Sequence, residues 1–247
     1  MRNFLLISAL FSTLLLTGAA QASPEPQKEY IILSGGPSLI EWEKFKMVPH
    51  DHYWGNFIRT ARVRIDELRA QLGPDAKITW MVYKPSYVTR GEQDKIDYLA
   101  DIDSVRAKDN LNLVYFSTSK MDAGAVNSEV IDYLNSGQPR DQVKIADFEY
   151  FGHSNKACWL FDYSNNIDSA SKGYLHETMF AKLNRGIFTK DANIKSWGCH
   201  TGESMSQVFR KATGMKMWGA VGKTDYSQGY IVQLANPPPT GTDKWAY

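Results

Sequence analysis

Cys199 and His153 are the residues whose types and surroundings combine into a reactive pair. A cysteine attacks a carbonyl carbon as the thiolate, and a histidine a few ångströms away takes the thiol proton or protonates a leaving amine. Cys199 stands in Ile194-Lys195-Ser196-Trp197-Gly198-Cys199-His200-Thr201-Gly202, which reads as a buried strand that ends near the cysteine and turns at once into a helix. That helix is expected because Ser204 and Gln207 have capping-box spacing, Met205, Val208, Phe209 and Ala212 share one face, and Gly214 stops the run. The positive end of a helix dipole beside a thiol favours the thiolate. His153 ends a second expected strand, Val143 to Phe151, in Gly152-His153-Ser154-Asn155.

Other residues offer competing chemistry. The chain has two cysteines, and in an exported protein an even count also reads as one structural disulfide, Cys158–Cys199. His153, Cys158, Cys199 and His200 are ligand types that zinc accepts, but their spacing fits no zinc signature, so neither metal nor cofactor is expected. His50 and His52 form a weaker candidate pair in an irregular stretch, and His176 falls within an expected crossover helix. Gly35-Gly36-Pro37 lacks the lysine of a phosphate-binding loop and reads as a turn.

The elements that must position the pair alternate along the chain. Tyr30 to Leu33 is an expected strand. Ile58, Ala61, Ile65, Leu68 and Leu72 mark a helix with Asn56 as candidate cap and Gly73-Pro74 as its end. Strands are expected at Lys77 to Tyr83, closed by Lys84-Pro85, and at Leu111 to Phe116, the latter with a central place in the sheet. Helices are expected over Gln93 to Ala107, around Val126 to Leu134, and from about Tyr174 to Leu183, and a last strand over Met215 to Val221. This alternation predicts an α/β class fold, a three-layer sandwich with a mostly parallel central sheet. A long step from residue 151 to residue 194 suits a right-handed crossover between parallel strands. Adjacent strands lie about 4.8 Å apart, which puts His153 and Cys199 side by side at the carboxyl edge, where such sheets hold ligands.

Composition narrows the setting. Arg2, the apolar run Phe4 to Thr17 and Ala20-Gln21-Ala22 form a signal peptide over residues 1–22, so the mature chain is expected to be secreted or periplasmic, without stable membrane insertion. The mature chain is expected as one domain over 23–235 with an extended tail over 236–247. Without Arg2 the 28 basic residues fall to 27, equal to the 27 acidic ones, and no basic stripe is present, so nucleic acid is not an expected partner.

Strand-Gly-His, a crossover, then strand-Ser-x-x-Cys-x-x-Gly resembles the caspase-fold cysteine peptidases: caspases, gingipains, clostripain, separase and the bacterial CHAT domains. The matching residues are Gly152-His153 and Ser196 to Gly202, and the resemblance spans about residues 143–222. It implies a caspase-like domain that hydrolyses peptide bonds in a peptide or protein substrate, with a His153–Cys199 dyad and an acyl-enzyme. It also implies an oxyanion hole made by the backbone N–H groups of Ser154 and Cys199. Ser154 stands where these peptidases usually carry glycine. Many of them read a charged side chain beside the scissile bond, so Asp162 and Asp225 are candidates for a pocket that receives a basic side chain; loop aspartates more often form turns. The alternative is a non-catalytic exported module that binds peptide or glycan through aromatic loops, with Cys158 and Cys199 as a disulfide.

Overall fold

A computed structural model describes residues 25–37, 40, 55–117, 123–162, 173–228, 232–234 and 244–247. The expected signal segment and the His50–His52 pair lie outside the described residues. The sheet has seven strands: β1 (Gln27–Ser34), β2 (Lys77–Tyr83), β3 (Asn112–Phe116), β4 (Val143–Phe151), β8 (Phe188–Ser196), β9 (Trp218–Val221) and β12 (Lys244–Ala246). Their spatial order is β12-β9-β8-β4-β1-β2-β3. All neighbours are parallel except β12, which runs antiparallel to β9.

Helices cover both faces, completing the three-layer α/β sandwich. On one face α1 (Asn56–Leu72), α2 (Lys84–Asp94) and α3 (Tyr98–Asp109) bury Phe57, Ile58, Ala61, Ile65, Leu68, Tyr87, Ile102 and Val105 against Ile32, Trp80 and Val82 of the sheet. On the other face lie α4 (Ala123–Ser136), a 3-10 helix (Glu177–Lys182) and α5 (Met205–Thr213). They bury Val130, Ile131, Leu134, Phe180 and Phe209 against Ile31, Leu33, Phe148 and Ile194. Each such side chain contributes about 1.5–3 kcal/mol of burial, so the two apolar faces of the central strands hold the layers together.

Several expected elements take a different form. Pro85 starts α2 at its first turn rather than closing β2, because proline there lacks only an N–H that no helix would use. The expected helix over Gln93 to Ala107 is broken at Lys95, which adopts a left-handed φ of 56°. β3 is an edge strand, not a central one. Gly55 caps α1, and Asn56 turns its amide outward to the carbonyl of Tyr226. Within the crossover, Tyr174–His176 is a strand (β7) before the 3-10 helix. With β5 (His153–Ser154) and β6 (Cys158–Leu160) it forms a small antiparallel sheet. Lys244–Ala246 of the expected tail returns to the main sheet as β12.

The order of the strands locates the rim that matters. After β1 the chain lays β2 and β3 on one side, then returns with β4, β8 and β9 on the other. Open sheets of this kind place ligands beyond the carboxyl ends near that reversal. At β1 itself the space is taken: Gly35 N–H donates to Phe151 C=O at 2.8 Å and Gly36 N–H to Phe161 C=O at 2.7 Å. A Cβ on Gly36 would lie 1.6 Å from Ser86 Oγ. The glycine pair is a packed turn, and the adjoining ends of β4 and β8 carry the two candidate residues.

Candidate functional site

β4 and β8 are adjacent and parallel, with Tyr150 level with Ser196. Beyond these paired residues the two chains stay bonded. Trp197 N–H donates to Tyr150 C=O at 2.8 Å, and Ser154 Oγ donates to Cys199 C=O at 2.6 Å. The segments that carry His153 and Cys199 are thus in hydrogen-bond contact on one rim.

The turn after β4 is built by Tyr150, whose hydroxyl donates to His153 C=O at 2.6 Å. A Cβ at residue 152 would stand 2.4 Å from that hydroxyl, so the close approach needs Gly152. His153 then opens β5, is 8% exposed, and meets the ring of Phe57 edge-on at 4.8 Å. Asn155 finishes the hairpin by accepting the N–H groups of Ala157 and Cys158 on its side-chain oxygen.

Ser154 pairs with Trp159 across that hairpin. Asn155 N–H donates to Cys158 C=O, so residues 155 and 158 form a hydrogen-bonded pair. Such pairs alternate in an antiparallel ladder, which leaves the Ser154 N–H pointing out of it. Ser154 has no left-handed φ, so its backbone asks for nothing that only glycine supplies.

Cys199 follows β8 through Gly198, where a Cβ would lie 2.2 Å from Ser154 Oγ. Its sulfur accepts the Thr224 N–H at 3.4 Å and lies 3.5 Å from Thr224 Oγ1. Thr224 belongs to the short strand β10 (Thr224–Asp225), which pairs with β11 (Gln233–Leu234), and it is buried. The helix does not begin directly after the cysteine. A 3-10 turn over Thr201–Glu203 intervenes, and α5 starts at Met205. Ser204 precedes that helix without capping it by its side chain; its hydroxyl donates to the Glu177 carboxylate at 2.8 Å. Close to Cys199 the positive end of α5 is therefore replaced by the Thr224 N–H.

The turn itself is pinned to the strand beyond β9. His200, with a left-handed φ of 62°, donates its N–H to Gly222 C=O, and its ring meets Glu203 at 2.6 Å. Glu203 also accepts the Gly222 N–H. A Cβ at Gly202 would fall 2.4 Å from the carbonyl oxygen of Gly219, which explains that glycine.

The remaining candidates lie nearby in different roles. Cys158 and Cys199 are separate thiols. Cys158 is half-buried beside Glu177; burial first, and that carboxylate second, push its thiol up to about 11. Asp225 accepts the Ser227 N–H at 2.7 Å, and buried Asp162 accepts the Gly173 N–H at 3.1 Å. Both aspartates thus hold loop backbone. Among the described residues no three His, Cys, Asp or Glu side chains are grouped to hold a metal ion, and no helix is long and apolar enough to cross a membrane.

Two features near the site have roles that the sequence does not assign. Tyr226 lies against Phe57 and bonds to the ends of both strands. Asp147 and Glu149 are buried beneath α1, where Arg64 bonds both carboxylates at 3.1 and 2.5 Å. Glu149 also accepts the Trp197 indole N–H at 2.5 Å. Comparison with protein-family models, curated proteins and solved structures finds no match to this chain.

Proposed function

We propose that this chain is an exported cysteine peptidase of caspase-like type, with Cys199 as nucleophile and His153 as its proton-transfer partner. One observation carries the reading: the two residues follow adjacent parallel strands, and Ser154, beside the histidine, bonds to the carbonyl of the cysteine at 2.6 Å. In the proposed reaction Cys199 Sγ bonds to the carbonyl carbon of a peptide, and the carbonyl electron pair moves to oxygen. In this reading the outward Ser154 N–H is the donor assigned to that oxyanion. His153 gives a proton to the amine as the C–N bond breaks. Water then attacks the thioester, His153 takes its proton, and the acid leaves with the thiolate restored. The sulfur accepts the Thr224 N–H at 3.4 Å and lies 3.9 Å from Thr224 C=O, so the same residue meets a thiolate through its N–H and a thiol through its carbonyl.

The test is alkylation by iodoacetamide at pH 7 on mature protein purified without reductant, read by peptide mass spectrometry. A thiol at about 11 is ionised in roughly one molecule in ten thousand at that pH, so Cys158 serves as the slow internal reference. Cys199 is expected to label at least tenfold faster than Cys158, and His153→Ala to remove most of that advantage. Hydrolysis of a denatured protein should vanish in Cys199→Ala. Equal labelling of the two thiols, or a Cys158–Cys199 disulfide in the purified protein, would favour the non-catalytic binding module instead.

A further inference from the structure

We infer that Tyr226 is the positioning residue that holds the His153 segment and the Cys199 segment in fixed relation; the inference rests on the dyad proposed above. Its hydroxyl donates to Trp197 C=O at 2.9 Å and accepts the Gly152 N–H at 3.2 Å. One oxygen therefore spans the ends of β8 and β4, two residues before Cys199 and one before His153. The ring fixes the same histidine a second way. It packs edge-on against Phe57 at 4.7 Å, and Phe57 packs edge-on against His153 at 4.8 Å. The backbone of residue 226 is anchored in turn by the Asn56 side chain, which donates to its carbonyl at 2.5 Å.

Nothing about this oxygen changes over the working pH range. Burial pushes the phenol well above its ordinary range, the Gly152 N–H pulls the other way, and charge on Cys199 pushes it up further. A hydroxyl that stays protonated always donates to Trp197 and always accepts from Gly152. Its loss should act through the spacing of imidazole and sulfur, not through a titration of its own.

The test is a double-mutant cycle on Cys199 alkylation between pH 6 and 9, with Tyr226→Phe, His153→Ala and the combination. Tyr226→Phe keeps the ring and removes the bridge. It is expected to slow alkylation at pH 7 about tenfold, part of the ~100-fold that a misplacement of about 1 Å costs, and to move the pH midpoint upward, toward that of His153→Ala. In the His153→Ala background the same change should have no further effect, because there is no longer a partner to position. Asn56→Ala, which loosens the anchor and spares the phenol, should give a smaller loss of the same His153-dependent kind, and it replaces Tyr226→Phe if that variant does not fold. An equal slowing in both backgrounds would make Tyr226 a structural support of the cysteine turn and overturn the inference, as would no slowing at all. If His153→Ala alone leaves alkylation unchanged, the dyad itself is wrong, and that result is distinct from the other two.

Discussion

Ser154 stands where the resembled peptidases usually have glycine, and substituting glycine there is the most direct probe of the rim. The serine hydroxyl donates to Cys199 C=O at 2.6 Å in a site 8% exposed, and its backbone has no left-handed φ. Ser154→Ala removes the bond and keeps the backbone preference, a cost of about 1 kcal/mol. Ser154→Gly loses the same bond and adds chain entropy worth roughly 0.5–1 kcal/mol, for a total near 2 kcal/mol. In a domain of this size about 1 kcal/mol lowers Tm by roughly 2–4 °C, so melts near 3 °C and 6 °C below the parent protein are expected. Thermal denaturation by circular dichroism measures both. Because each variant retains the outward N–H, cleavage of a denatured protein by the folded variants should fall only as far as the Cys199 carbonyl drifts. A Ser154→Gly protein that melts above the parent would refute the reasoning, since it would mean that the serine backbone is strained and that glycine relieves it. An unchanged Ser154→Ala melt would remove the hydroxyl from the clamp.

Two further outcomes test the buried charges. Burial, then the neighbouring Glu149, raise Asp147 from its ordinary range to about 7, while Asn193 and Arg64 pull the other way. The native state therefore keeps a proton that the unfolded chain releases near pH 4, and stability falls as pH rises from about 4 to 7. Asp147→Asn should flatten that fall, so the difference in stability between pH 5 and pH 8 is smaller in the variant than in the parent; an equal difference in urea titrations of both proteins would contradict it. One register step away on β1 and on the other face of the sheet, fully buried Glu29 pairs with Arg140 at 2.5 Å. Arg140→Met should cost about 3–5 kcal/mol by stranding the carboxylate, and adding Glu29→Met should recover most of the loss in the same urea titration.

Much of the scaffold was legible because simple periods govern it. The 3,4 spacing from Ile58 to Leu68 gave α1, whose buried face is those residues with Phe57. Leu72, last in the same series and at the final residue of the helix, is 41% exposed. Strand-end glycines and the apolar run Val143 to Phe151 gave β4. Its two carboxylates were not legible as buried groups. The pairing of β4 with β8 slips between Ile145 and Asp147, so Phe148 and Tyr150 face α4 and α5 while Asp147 and Glu149 turn toward Arg64. A bulge shifts the alternation by one residue, and no period in the sequence announces it. The β5–β6–β7 sheet was missed for another reason: strands of two and three residues are too short to show a period at all.

The site divides along the same line. The positions of His153 and Cys199, just beyond the ends of two adjacent long strands, followed from the strands. What surrounds the sulfur was not, because a local cue pointed elsewhere. The apolar spacing after Ser204 announced a helix whose dipole would reach back to the cysteine, but a dipole acts within its first turn and the turn over Thr201–Glu203 separates the two. The donor that meets Cys199 comes instead from Thr224, brought there because Gly222 and Glu203 lock the chain beyond β9 to the turn. Tyr226 arrives on that same segment two residues later. Support for the proposed nucleophile is therefore a property of tertiary return, a stretch after the last parallel strand folding back over the rim, and spacing along the chain carries no trace of it.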